Sequence, residues 1–79
     1  MKLPVIRGLA EDHSLEELHA AENAILEEEK PAFEVGGEDE GEQLTHLLGA
    51  IWIREQMADG MDFKAAFRAF AQRVRDSIS

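Results

Sequence analysis

Apolar residues recur at helical spacing along three stretches of this chain, and each stretch begins at a residue that can cap a helix. Ser14 and Glu17 form a capping box, in which the hydroxyl accepts an amide hydrogen of the first turn and the carboxylate reaches back to the cap. Pro31 stops the pattern, because proline lacks the amide hydrogen that a helix interior needs. The pattern therefore predicts a first helix over about residues 15–29.

Two further helices are predicted from the same kind of signal. Asp39 can cap a second helix over about residues 40–59, which ends at Gly60 because glycine readily takes the left-handed conformation. Asp62 can cap a third helix over about residues 63–77. Since only a few residues separate the second and third helices, we expect them to form an antiparallel hairpin.

Two short segments have the composition of strands. Residues 3–6 and 32–35 are rich in residues that favour extended backbone, although Pro4 would restrict the first segment to a sheet edge or to a strand start. The sequence therefore allows a short two-stranded β element beside the helices. We expect a mainly α fold in which residues 1–79 form a single small helical domain.

The second predicted helix is unusual because it has two apolar faces. At about 100° per residue, the first face suits contact with the other two helices. It comprises Leu44, Leu47, Leu48 and Ile51. The opposite face has the four-three-four spacing of a short coiled-coil seam. It comprises His46, Ala50, Ile53 and Met57.

A chain of this length has little with which to cover the second face, so we expect a partner there. We predict a homodimer across a two-fold axis, because such dimers are the commonest assemblies and Gly49 would allow a backbone to approach closely. The predicted interface comprises His46, Gly49, Ala50, Ile53 and Met57. Two alternatives stay open: the segment from Met1 to Ala10 folds over this face within the same chain, or a different, unidentified protein covers it.

Composition narrows the class of protein. The chain has no cysteine, which excludes disulfides, thiol catalysis and cysteine-ligated zinc. The apolar run at residues 3–6 is shorter than the roughly 7–15 residues of a signal peptide. The run at residues 44–53 is about half of the roughly 20 residues of a membrane span. We expect a cytoplasmic protein with no membrane partner.

Charge is distributed unevenly along the chain. The net charge is −9, and residues 1–49 carry thirteen acids against three basic residues, whereas residues 50–79 carry four acids against five. A chain this acidic repels phosphate backbones, so we expect no nucleic-acid partner. The asymmetry suits an acidic first half packed against a basic last helix, within one chain or between subunits. On the third predicted helix, the basic side chains are expected to form a solvated face that answers the acidic first helix, and the alternative is an anion site. They are Lys64, Arg68 and Arg75.

Several polar side chains could instead hold a divalent metal ion. Glu16 and His19 form Glu-x-x-His, the spacing by which carboxylate-bridged di-iron bundles place two ligands on one helix face. Further oxygen and imidazole ligands would come from Glu22, Glu42, His46 and Glu55. The alternative is that His19 is a half-buried side chain beside Glu22. We expect no cofactor, with a Glu/His-ligated metal as the open alternative.

Nucleophilic catalysis has little support in the sequence. Ser14 is a helix cap, and the chain has neither a Gly-x-Ser-x-Gly motif nor a phosphate-binding glycine loop. A chain this small is also expected to lack a concave pocket of its own. We therefore expect no enzymatic activity.

Four segments of the sequence resemble a small family of bacterial proteins of unknown function. They are Met1 to Ile6, Asp39 to His46, Ala50 to Glu55 and Gln72 to Ser79. The resemblance covers most of the chain and implies a cytoplasmic bacterial protein, but it implies no activity, cofactor or catalytic residue. It identifies five residues to mutate first: Asp39, Glu42, Thr45, His46 and Trp52.

Two functions from different classes follow. The leading hypothesis is a non-enzymatic helical interaction or accessory protein that homodimerises through the second apolar face of its second predicted helix. The alternative is a small ferritin-like protein that binds a metal ion through His19 or His46 together with nearby glutamates.

Overall fold

The computed structural model describes residues 1–78, which form four α-helices. In chain order they are α1 (Leu3–Asp12), α2 (Leu15–Leu26), α3 (Glu40–Ala58) and α4 (Phe63–Ile78). The prediction of a mainly α fold is confirmed, but the prediction of three helices is wrong, because residues 3–12 form an additional helix. Within residues 1–78, none of these helices offers the uninterrupted apolar length that a bilayer crossing demands.

Helix α1 replaces the first of the two predicted strands. Pro4 lies in its first turn, where the missing N–H of proline costs no hydrogen bond and the fixed φ suits a helix. Ile6, Leu9 and Ala10 are spaced so that they share one helix face, and all three are buried. Burial of this face outweighs the extended preference of Val5 and Ile6.

The second predicted strand, residues 32–35, lies in an irregular segment between α2 and α3, so no β element forms in the described part of the chain. Side chains rather than backbone pairing attach this segment to the helices. Val35 is buried, and the ring of Phe33 stacks on that of His13 with 3.7 Å between their centroids.

The predicted helix starts are confirmed. Ser14 and Glu17 exchange both hydrogen bonds of the capping box, at 3.1 and 2.8 Å. The carboxylates of Asp39 and Asp62 cap α3 and α4, each at 2.8 Å. The first predicted helix is three residues too long, since α2 ends at Leu26. Three glutamates follow, and the partial negative charge of a helix C-terminus disfavours acids there.

Helix α3 lies at the centre of the fold, because α1, α2 and α4 all contact it. Its buried residues are His46, Leu47, Gly49, Ala50, Ile51 and Ile53. The predicted contact between the second and third helices of the hairpin corresponds to the contact between α3 and α4, to which the half-buried Phe63, Phe67 and Phe70 contribute. Both apolar faces of α3 are therefore covered largely by the chain itself.

Candidate functional site

The second apolar face of α3 is covered by α1 of the same chain. Of the five predicted interface residues, His46, Gly49, Ala50 and Ile53 are buried, and Met57 is half-buried. This arrangement corresponds to the alternative in which the segment from Met1 to Ala10 folds over the face. In this conformation the four buried residues are inaccessible to a second copy of the chain.

His46 is buried at the point where three parts of the chain meet. Its Nε2 accepts a hydrogen bond from the backbone N–H of Lys2 at 2.9 Å, and its Nδ1 donates to the carbonyl oxygen of Gly36 at 2.6 Å. A backbone N–H can only donate and a carbonyl can only accept, so this pairing requires a hydrogen on Nδ1 and a lone pair on Nε2. The imidazole thus joins the start of α1 and the irregular segment to α3.

Gly49 allows two other helices to approach the same turn of α3. A Cβ atom at this position would lie 2.8 Å from Cζ of Phe70 and 3.1 Å from Cδ1 of Ile6. The sequence indicated that Gly49 serves a close approach by a second copy. Its close neighbours in the structure are instead α1 and α4 of its own chain.

Arg54 has a structural role that the sequence pattern did not reveal. Its Nε donates to the carbonyl oxygen of Ala10 at 2.6 Å, and its Nη2 donates to that of Glu11 at 3.2 Å. These carbonyls belong to the last turn of α1, where helix carbonyls lack an amide partner and a cation is favourable. The sequence feature that could have indicated this role is the position of Arg54, which lies one turn after Ala50 at the edge of the second apolar face.

The candidate metal ligands lie in different environments. His19 Nδ1 is 3.6 Å from Glu22 Oε1, whereas Glu16 and Glu55 are exposed elsewhere. Both ring nitrogens of His46 are engaged by backbone groups. Across residues 1–78, no three His, Asp or Glu side chains are grouped so that they could hold a metal ion. The described chain therefore brings no complete ligand set together.

Glu42, the remaining metal candidate, is engaged at the start of α3. Its Oε1 accepts the backbone N–H of Glu38 at 2.8 Å, and its Oε2 lies 3.5 Å from the amine of Met1. The hydrogen bond from Glu38, helped by the charge of the amine and opposed by burial, lowers the pKa of Glu42 below its ordinary value of 4.5. The pKa of Glu17 is lowered too, chiefly by the backbone hydrogen bond from Ser14.

The acidic first half of the chain does not form ion pairs with α4 in the described residues. Glu42 lies 3.5 Å from the Met1 amine, and Glu17 and Glu22 lie beside His13 and His19. None of these contacts joins the acidic first half to α4. The cations of α4 are all exposed: Lys64, Arg68, Arg73 and Arg75. The predicted pairing of the acidic first half with the basic last helix therefore does not occur within residues 1–78 of one chain.

A groove of about 610 Å³ lies between α3 and α4, and much of its lining is apolar. Leu48, Trp52, Phe70 and Val74 are among the residues that line it. The rings of Trp52 and Phe70 are 6.0 Å apart at an angle of 46°, within the usual range for an aromatic pair. The groove is a broad depression that is open to solvent rather than an enclosed pocket.

Leu48 is 55% exposed at this groove, although the sequence pattern assigned it to the core. The reason is that α1 covers the second apolar face. The buried arc of α3 is consequently centred near Ala50, which lies about 160° around the helix from Leu48 at 100° per residue. Leu48 thus becomes an exposed large apolar side chain beside an aromatic pair.

Arg73 supplies a positive charge at the same groove. Its guanidinium carbon lies 5.2 Å from the centre of the Trp52 ring, a cation–π distance. The side chain is exposed and lines the groove. The groove therefore combines apolar surface with a guanidinium held over an indole.

One protein-family model matches residues 1–79, so the matched region contains the whole core and the whole groove. The chain belongs to DUF6952, a family of unknown function. This match confirms the resemblance to a family of unknown function. No curated protein and no solved structure matches this DUF6952 chain. The function of the groove must therefore be inferred from its own geometry.

Several hydroxyl groups of this DUF6952 chain are engaged by the backbone. Ser14 caps α2, Thr45 Oγ1 donates to the carbonyl oxygen of Gly41 at 2.9 Å, and Ser77 Oγ donates to that of Arg73 at 3.0 Å. Thr45 and Ser77 line the groove, so the hydroxyls nearest the apolar surface are already donating to helix carbonyls.

Proposed function

We propose that this chain is a non-enzymatic interaction module that holds an amphipathic helical segment of another protein in the groove between α3 and α4. The observation that carries the proposal is the exposure of Leu48 beside Trp52 and Phe70. Large apolar side chains around a hydrophobic groove are what helix-in-groove recognition requires. Trp and Arg are also the residue types that most often dominate binding energy at protein interfaces.

The size of the groove favours a short segment as its occupant. Its volume of about 610 Å³ lies within the roughly 300–1,000 Å³ range of sites that hold small ligands. Among the described residues, ten line it, whereas a stable interface between two folded proteins uses roughly 20–30 residues on each side. A helix that inserts two or three apolar side chains matches this size better than a whole second copy of the chain.

The other predicted functions place different demands on the chain. A homodimer through His46, Gly49, Ala50, Ile53 and Met57 stays a prediction that requires α1 to leave α3. A Glu/His-ligated metal also stays a prediction, and it requires ligands that the described chain does not group. Bacterial origin and a cytoplasmic location are likewise predictions. The groove needs no such rearrangement, because it is open in the folded chain.

A peptide-display selection tests the proposal. The library consists of helical peptides of about fifteen residues, long enough to sustain a helix. One face is a mixture of Leu, Ile, Phe and Met, and the flanking positions are an equal mixture of Glu, Gln and Lys. We expect the folded chain to enrich peptides with a continuous apolar face. Binding should shift the fluorescence of Trp52, which is the single tryptophan of a chain that has no tyrosine.

The chain provides a matched pair of control variants. Leu48 and Leu26 are 55% and 63% exposed, and Leu26 lies on α2, outside the residues that line the groove. Leu48→Asp should abolish enrichment, whereas Leu26→Asp should preserve it. The proposal fails if the unmodified chain enriches no peptide or if L48D captures peptides equally well. A dimer of the unmodified chain that L48D dissociates and L26D preserves would assign the groove to a second copy instead.

A further inference from the structure

We infer that the helix bound in the groove carries an acidic residue that pairs with Arg73. This inference rests on the proposed function and adds the chemistry of the partner to it. It depends on the charges at the groove, whereas the proposed function depends on the apolar lining. The two can therefore fail separately.

The geometry of Arg73 leaves its hydrogen-bond donors available. Its guanidinium lies over the ring of Trp52, with the carbon atom 5.2 Å from the ring centre. A guanidinium that contacts an aromatic ring through its face still presents its N–H groups at the edge, where they match the two oxygens of a carboxylate. The side chain is exposed, and no carboxylate pairs with it in the described part of the chain.

The other charged groups at the groove have contacts within the chain. The Met1 amine lies 3.5 Å from Glu42, and Asp76 Oδ1 accepts a hydrogen bond from Gln72 Nε2 at 2.9 Å. Asp76 lies one turn beyond Arg73, so it disfavours an acid near the end of α4. The acidic residue of the partner should therefore lie at the Trp52 side of the groove.

The remaining cations of α4 cannot replace Arg73. Lys64, Arg68 and Arg75 fall on the flank of α4 opposite Arg73, because Arg68 is about 140° away around the helix at 100° per residue. They are not among the residues that line the groove. Arg68 is exposed like Arg73, so Arg68→Gln is a matched control for Arg73→Gln.

The flanking positions of the displayed library test the inference. On the unmodified chain and on R68Q, we expect Glu to be enriched over Gln and Lys at a flanking position. On R73Q, Glu and Gln should be enriched equally. A synthetic selected peptide should bind about two- to fivefold more tightly than its Glu→Gln version, the effect of one exposed ion pair. This ratio should fall towards one in about 1 M salt.

The outcomes separate the two proposals. If apolar peptides are selected with no preference at the flanking positions, or with a preference for Lys, the acidic partner is excluded and the interaction module stands. If R73Q and R68Q lose the Glu preference equally, the overall positive charge of α4 selects Glu, and the inferred contact with Arg73 is excluded. Retention of part of the preference by Arg73→Lys supports the pairing, because lysine keeps the charge without the planar fork. If no peptide is selected, the proposed function itself fails.

Discussion

His46 accepts a hydrogen bond from the backbone N–H of Lys2 across 44 residues of sequence, at 2.9 Å. The same ring donates to Gly36, so one buried side chain satisfies two backbone groups from separate parts of the chain. Buried polar groups are costly when their partners are removed. His46 is therefore expected to hold α1 in place over α3.

His46→Ala should destabilise the fold by about 3 kcal/mol, because it opens a cavity and leaves two backbone groups unpaired. Urea unfolding followed by circular dichroism measures the change. Hydrogen exchange should show the largest loss of protection in α1. His19→Ala, at an exposed position on α2, should change stability by less than about 0.5 kcal/mol. Equal effects of the two variants would contradict a special role for the buried ring.

Arg54→Met should destabilise the fold by about 2 kcal/mol, because two carbonyls at the end of α1 lose a charged donor. Arg54→Lys should lose less, since it keeps the positive charge near the helix C-terminus. Arg68→Met on the exposed flank of α4 is the control and should be nearly neutral. Unfolding midpoints in urea that are the same for R54M and R68M would exclude this capping role.

Gly49→Ala should destabilise the fold by about 1 kcal/mol although alanine is the better helix former. The new methyl group would lie 2.8 Å from Phe70 and 3.1 Å from Ile6, and this overpacking costs roughly 1–3 kcal/mol. The gain in helix propensity offsets about 1 kcal/mol of it. Gly8→Ala on α1, where a Cβ would meet nothing within 4 Å, should be stabilising instead. A stabilising effect at both positions would show that Phe70 and Ile6 yield easily.

Stability should fall with acid partly through Glu42. Its folded pKa is lower than the ordinary value of 4.5, so its stabilisation is present above that pH and is lost as the pH falls through the folded value. Glu17 acts in the same direction. Glu42→Gln should lower the urea midpoint at about pH 6, and the difference from the unmodified protein should shrink as the pH falls below the ordinary carboxylate range. Glu55→Gln is the control. If the urea midpoints of the unmodified protein, E42Q and E55Q change in parallel with pH, this account is contradicted.

The three helices that begin with a side-chain cap could be predicted from sequence, because a cap acts within one turn. Ser14, Asp39 and Asp62 each accept an amide hydrogen from a residue three positions later. Helix α1 has no such side-chain cap at Lys2, and its first turn contains Pro4 among residues that favour strands. Its stability comes from burial against α3, which begins 28 residues after α1 ends. A local pattern does not contain that information.

The site was harder to predict for the same reason. The sequence pattern assigned the apolar residues of α3 to two faces, but in the structure residues from both faces share one buried arc. Once α1 occupies the face with Ile53, Leu48 is left outside the buried arc. The pattern of α3 alone assigns Leu48 to the core, because it shares a helix face with Leu44, Leu47 and Ile51. The groove with Trp52 follows only when all four helices are placed.

The contacts that fasten α1 have a consequence for the order in which the chain folds. Lys2 pairs with His46, and Ala10 pairs with Arg54, and both bonds span 44 residues. During synthesis α1 leaves the ribosome well before α3 exists, so it has no surface on which to settle. Closing so long a loop costs chain entropy that only a formed α3 can offset. Helix α1 can therefore join the fold only after α3 has formed.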